Sequence, residues 1–309
     1  MADLCGAEGI QGKLGTGDAL EVDNLWEMGP AGESLALQTS KINSNALNGT
    51  TQQFADDTRE SIENVAGDLN LFATPRTLDW FGPRTFAGGA KGTTDPDYID
   101  LGDDVPPEFV TTIDRDALVF DYLGCRINRM TLRGQVNGFV EMITNIIGTT
   151  EVNPVRAAGS FPALDLVPDP PYTFEDGEVI VNGVAYEFTE FELIIDNKLQ
   201  PRFTGNRTAC GIKRSEKLEI TLRISHPFDP GTTADLYRMP EAPQFVPVNL
   251  NFTQGPYSAR LEMPAVQFEN NSPTISGPGD IPLVFEGQAR ALKGPPIERA
   301  LRLFNDSTP

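Results

Sequence analysis

The sequence predicts a mainly β protein built from two tandem sandwich-like or half-barrel domains, each with a short helix. Three observations lead there. Its 29 glycines and 25 prolines recur every few residues, which leaves little room for long helices and favours short strands joined by turns. The segment Leu218 to Ile224 alternates apolar and polar side chains without a break, the period of two that a half-buried strand requires. A length of 309 residues exceeds one ordinary domain and suits two of about 150 residues each.

Taken in order, residues 1–32 are Gly-rich and weakly patterned, and read as an N-terminal arm of the kind that orders against a partner. Within it Gly12 to Gly17 lacks the Gly-Lys-Ser/Thr ending of a phosphate loop and reads as a flexible segment. The first domain, 33–150, carries strands at Val65 to Ala73, Leu118 to Leu123, Arg126 to Leu132 and Gly138 to Ile147. Their weaker alternation fits burial on both faces or at contacts between subunits. A short helix is expected after Thr74-Pro75, with proline at its first position. Pro154, Pro162, Pro168, Pro170 and Pro171 then break regular structure, so 151–176 is assigned as a linker.

The second domain, 177–309, repeats the period of two in Phe191, Leu193 and Ile195, in Val248, Leu250 and Phe252, and in Tyr257, Ala259, Leu261 and Met263. Helices are expected at Thr232 to Arg238, behind Asp229-Pro230-Gly231, and at Ile297 to Phe304, behind Pro295-Pro296. Asn45-x-Leu47 and Pro75 recur as Asn197-x-Leu199 and Pro227, all at an offset of 152. The repeat reads as the duplication of one β-sandwich unit, set against chance similarity between two β-rich halves.

Composition excludes several function classes. With 44 acidic against 24 Lys and Arg and a formal charge of −20, the field of the whole molecule repels phosphate polyanions, and no basic stripe with interleaved aromatics is present. Cys5, Cys125 and Cys210 are too far apart for a metal knuckle and odd in number, and read as reduced thiols. No basic and apolar leader is visible, no apolar run approaches a membrane span, and Asn48, Asn206, Asn251 and Asn305 read as chance sequons.

His226 is the single histidine, so any triad, dyad or histidine-based metal site would have to use it; before Pro227 at a strand end, it reads as a surface or turn residue. The acidic stretch from Thr94 to Asp104 lacks EF-hand order and its closing Glu, and reads as a solvated loop or one that reaches a neighbouring subunit. No catalytic, cofactor-binding or metal-ligating residue is therefore assigned.

Several segments resemble the duplicated tail tube proteins of long-tailed, siphovirus-like bacteriophages, over most of residues 30–293. In the first half these are Glu33 to Leu37, Asn64 to Leu71, the helix around Thr77 to Phe81, Tyr122 to Leu132 and Asn137 to Met142. In the second half they are Phe188 to Leu199, which ends in Asp-Asn-Lys-Leu and is the most specific match, and the strand Lys217 to Ser225. The long acidic loop from Ala87 to Glu108 and Asp196, in place of the first Asn of that motif, depart from the family pattern.

The resemblance implies a structural virion protein rather than an enzyme. It implies homotrimeric, pseudo-sixfold rings stacked into a tube, with the inner strands of all copies joined into one β-barrel around the path of the genome. Implied partners are other copies of the chain, a tape measure protein, a tail terminator and distal tail proteins, with DNA passing without specific binding and no membrane or cofactor involved. The implied location is the phage tail, after assembly in the host cytoplasm. The alternative is a β-sandwich adhesin or carbohydrate-binding module, for which Trp26 and Trp80 are few and far apart in sequence. A glycosidase would need a selected carboxylate pair, and none stands out.

Overall fold

The computed structural model describes residues 13–17, 24–43, 58–87, 98–115, 118–152, 170–227, 245–269, 282–294 and 298–306. The fold is mainly β, with one α-helix among the described residues. The first portion contributes β1 (Lys13–Gly17), β2 (Asn24–Trp26), β3 (Met28–Glu33), β4 (Ala36–Asn43), β5 (Thr58–Phe72), β6 (Tyr98–Asp100), β7 (Phe109–Asp114), β8 (Val119–Gln135), β9 (Glu141–Gly148) and β10 (Thr150–Val152). The second contributes β11 (Gly177–Val181), β12 (Val184–Tyr186), β13 (Glu190–Asp196), β14 (Leu199–Arg202), β15 (Gly211–Arg214), β16 (Glu219–Pro227), β17 (Val246–Gln254), β18 (Tyr257–Phe268), β19 (Pro282–Ala289) and β20 (Arg302–Asp306).

The pairing order repeats. In the first portion β4, β5, β9, β8, β7 and β1 are successive antiparallel neighbours. In the second, β13, β16, β19, β18, β17 and β11 follow the same order. β10 pairs with the first part of β8 as β20 pairs with the first part of β18. Both long strands carry an irregularity at the matching place, where the registers to β7 and β17 shift by one residue; such a bulge bends a strand so that its two ends serve different sheets. In β8 the bend falls at Gly124, whose positive φ of 61° suits a residue without Cβ.

The sequence offset of 152 is close to the structural one but misses it by a residue. Thr58 and Gly211 open equivalent strands, and the buried Leu69 and Leu71 correspond to the buried Leu222 and Ile224, which requires 153. A shift of one would turn every side chain to the wrong face. Asn45 and Leu47 lie outside the described residues.

The predicted first helix is α1 (Pro75–Thr85). Thr74 caps it: its hydroxyl accepts from the Thr77 amide at 3.0 Å while Thr77 Oγ1 accepts from the Thr74 amide at 2.8 Å, satisfying donors that the first turn leaves open. Leu78 and Phe81 point into the core, which also takes Leu71, Met130, Leu132, Leu193, Leu222, Leu261 and Leu303.

Two expectations are corrected here. The helix expected at Ile297 to Phe304 is instead the approach to strand β20: Leu301, Leu303 and Asn305 alternate as buried positions and pair the chain with β18 and β6. The segment expected to be flexible at Gly12 to Gly17 is strand β1 over Lys13–Gly17, paired on both sides with β2 and β7. The expected helix at Thr232 to Arg238 lies outside the described residues, as does most of 151–176.

Candidate assembly surface

Several residues weighed for chemistry lie in the core or in ion pairs. His226 is not at a surface turn but 4% exposed within β16, paired in register with Leu283, with its ring 6.3 Å from that of Tyr186. Its neighbours include Val179, Phe188, Phe268 and Phe285, around a cavity of about 20 Å³, roughly one water. Cys125 is buried, and burial pushes its thiol up to about 12, so it carries no reactive thiolate near neutrality. Cys210 is exposed and unbridged, and Cys5 lies outside the described residues.

Where it is described, the acidic stretch is part strand and part exposed loop, with Asp103 and Asp104 exposed. Tyr98–Asp100 is β6, paired with β20; Asp100 takes the Arg302 guanidinium in a two-point bond at 2.5 and 3.2 Å, and Asp103 meets Arg299 at 2.5 Å. The main-chain carbonyls of Asp103 and Asp104 accept from Arg214 at 3.0 and 3.2 Å. Among the described residues no cluster of His, Cys, Asp and Glu could hold a metal ion, and no helix is long and apolar enough to cross a membrane. Trp26 and Trp80, distant in sequence, pack with ring centroids 5.6 Å apart, and Trp26 is buried, so they form core rather than a sugar platform.

What the fold does build is a seam. β13 has β16 on one side and, on the other, the second half of β8, from Glu190↔Gln135 to Asp196↔Arg129. The two repeats thereby become one continuous antiparallel sheet in the order β4, β5, β9, β8, β13, β16, β19 and β18.

Asn197, just past β13, locks this seam. Its side chain is fully buried; Nδ2 donates to the carbonyls of Thr85 at 3.0 Å and Ile127 at 3.1 Å, and Oδ1 accepts from Arg214 at 3.1 Å. The Leu199 amide donates to Asn128 Oδ1 at 2.8 Å. The Asn-Lys-Leu segment that the sequence picked out as a motif is thus the junction between repeats. Beside it, burial works against ionisation of Asp196, but hydrogen bonds from the Lys198 amide, the Lys198 ammonium and Arg129 outweigh it and hold the carboxyl below its ordinary value. Farther out, Arg207 joins Glu60 at 2.5 Å and Thr208 joins Glu63 at 2.8 Å, so the β14–β15 loop clasps the start of β5.

Among the described residues the first repeat has no such second neighbour. β3 and β4 stand to β5 as β13 and β14 stand to β16 and β15, yet among the described residues no strand pairs with their outer side. β4 is exposed along nearly its whole length, and Ile42 is 62% exposed. Such an edge presents unpaired backbone donors and acceptors, a template for another strand. Sequence reasoning missed this edge because the alternation of β4 does not reveal which of its sides lacks a neighbour.

The sheet through the seam has two distinct faces. One carries Leu71, Met142, Leu132, Leu193 and Leu222 in register and packs into the core. The other carries, in one row, Phe72, Glu141, Arg133, Glu192, Arg223 and Glu286, and in the next Asn70, Ile143, Thr131, Ile194, Thr221 and Gln288. The weaker alternation read from Arg126 to Leu132 is therefore not burial on both faces: from Arg129 to Gln135 the strand alternates strictly between buried and open positions.

A family model described as phage tail tube protein matches residues 6–289. No curated protein matches the chain.

Proposed function

The chain belongs to the phage tail tube protein family, and on that premise we propose that it is the tube subunit of a long phage tail, acting by self-association and without catalysis. In this reading 33–150 and 177–309 are two tube domains, 151–176 links them and 1–32 is an arm whose strands β1 and β3 add to the sheet of the first domain. Three copies form a pseudo-sixfold ring, rings stack along an open axis, and the channel conducts the genome during delivery. Other copies, a tape measure protein, a tail terminator and distal tail proteins are its partners, and DNA passes without specific binding. Assembly takes place in the host cytoplasm before the tail joins the virion.

The observation that carries the reading is the seam between β8 and β13. It pairs the first repeat with the second inside one chain, while the equivalent edge of the first repeat, β3 and β4, has its outer side open among the described residues. A second copy that docks its second repeat there would repeat the seam, satisfy the edge and, by rotation, close a ring without free edges. The core face of the sheet is covered from within the chain, so its polar face is the one left to line a channel.

Negative-stain electron microscopy of the purified chain, alone at rising concentration and seeded with a tail-tip complex, tests the reading. Stacked rings or hollow tubes with threefold end-on views are expected. Monodisperse monomers that persist even when seeded would overturn it.

A further inference from the structure

The polar face of the seam sheet carries more than a surplus of acid. Across four registered rows from β5 to β19 it holds three arginines and seven carboxylates; Arg133 and Arg223 each lie between two carboxylates on neighbouring strands, and Arg129 lies between Asn145 and Asp196. Arg133 lies between Glu141 and Glu192 and bonds Glu141 at 2.6 Å. Arg129 faces Asp196 across the seam at 3.1 Å. Arg223 lies between Glu192 and Glu286, directly opposite each, a spacing of about 5 Å between Cβ atoms. Lys198 reaches the same face, bonded to Glu219 at 2.7 Å and to Asp196 at 3.2 Å.

Resting on the tube reading above, we propose that this ladder is a polyanion-passing wall, in which a carboxylate bonds or stands directly opposite each cation that a phosphate backbone would otherwise bind. Binding of DNA to a protein surface gains most of its free energy from cations that replace the counterions of the phosphates. A guanidinium already held by a carboxylate must give up that partner first, and the excess carboxylates add repulsion. The arginines are not superfluous in such a wall. A row of carboxylates alone would place like charges directly opposite each other on adjacent strands, which destabilises a sheet; alternation in the row Glu141, Arg133, Glu192, Arg223, Glu286 avoids this while the total stays negative.

The position in the row, not the net charge, is thus what matters, and the test separates them. The full-length variant E141Q/E192Q/E286Q removes the carboxylates that flank Arg133 and Arg223; E27Q/E178Q/E298Q removes as many exposed carboxylates away from the seam sheet. Tubes of each are imaged and then sedimented with a short labelled DNA duplex at graded salt, and each soluble chain is run on heparin.

The ladder variant should carry down at least tenfold more duplex than wild type, with steep loss as salt rises, and elute later from heparin; the charge-matched control should behave as wild type. Equal binding by the two variants, or no gain by the ladder variant in either assay, overturns the proposal. If wild type forms no tubes, the ring reading falls, and the heparin comparison still judges the ladder. A bulky maleimide on T221C must add density inside the tube; density on the outer wall overturns the lining role alone.

Discussion

Replacing Asn197 with Ala should cost more than any other single polar truncation at the seam. The side chain spends both amide hydrogens on main-chain carbonyls, one at the end of α1 and one in β8, and its oxygen holds the Arg214 guanidinium. Alanine removes the partner from two carbonyls at a fully buried position and leaves a small void. An unsatisfied buried acceptor costs about 1–3 kcal/mol, so the loss should be about 2–5 kcal/mol, the Arg214 donor being repaid in part by its bonds to the carbonyls of Asp103 and Asp104. Asn197→Asp should be worse, because it sets an acceptor against two acceptors. Urea unfolding followed by far-UV circular dichroism measures this as a drop in midpoint at constant slope. A loss below about 1 kcal/mol for Ala, or an Asp variant as stable as wild type, would refute the view that this asparagine ties the repeats together.

Gly134→Ala should destabilise by about 1–3 kcal/mol, the usual cost of overpacking, because its Cβ would stand 2.5 Å from Phe191 Cε1; adding Phe191→Leu should recover part of the loss in the same unfolding assay. Thr74→Ala should cost about 1 kcal/mol, as the loss of an N-cap does, and Thr74→Ser should restore most of it. Asp196 predicts an acid-sensitive seam. Its folded carboxyl titrates below the unfolded value of 3.8, so its contribution is fully present above that value and disappears as pH falls through the lower folded one. The stability difference between wild type and Asp196→Asn should therefore be constant from neutrality down to about pH 5 and shrink below pH 4; a difference that grows with acid would contradict the assignment.

The strands were legible wherever one face is wet. Leu218 to Ile224 and Phe191 to Ile195 alternate in sequence because Leu193 and Leu222 meet the core while Glu192 and Arg223 do not. The first helix was legible from Thr74-Pro75, since its cap is local chemistry. The C-terminal segment misled because a proline pair followed by Ile-Glu-Arg-Ala-Leu satisfies the local rules for a helix, while pairing with β18 and β6 decides the matter from far along the chain. His226 misled for the same reason: its position before Pro227 suggests a turn, but β19 runs alongside to Pro282 and keeps the strand going.

Least legible was the seam on which the proposed assembly rests. Register between β8 and β13 joins residues about sixty apart, such as Leu132 and Leu193, and no spacing rule links them. Once that seam is known, the duplication turns it into an argument about a missing neighbour. Two equivalent strands, β13 and the β3–β4 segment, share sequence ancestry in the proposed reading and pair with equivalent strands, β16 and β5, but among the described residues one is covered on both sides and the other on one. In the proposed reading the chain contains one copy of an interface and half of a second, which is why that reading rests on self-association rather than on any pocket or side-chain cluster.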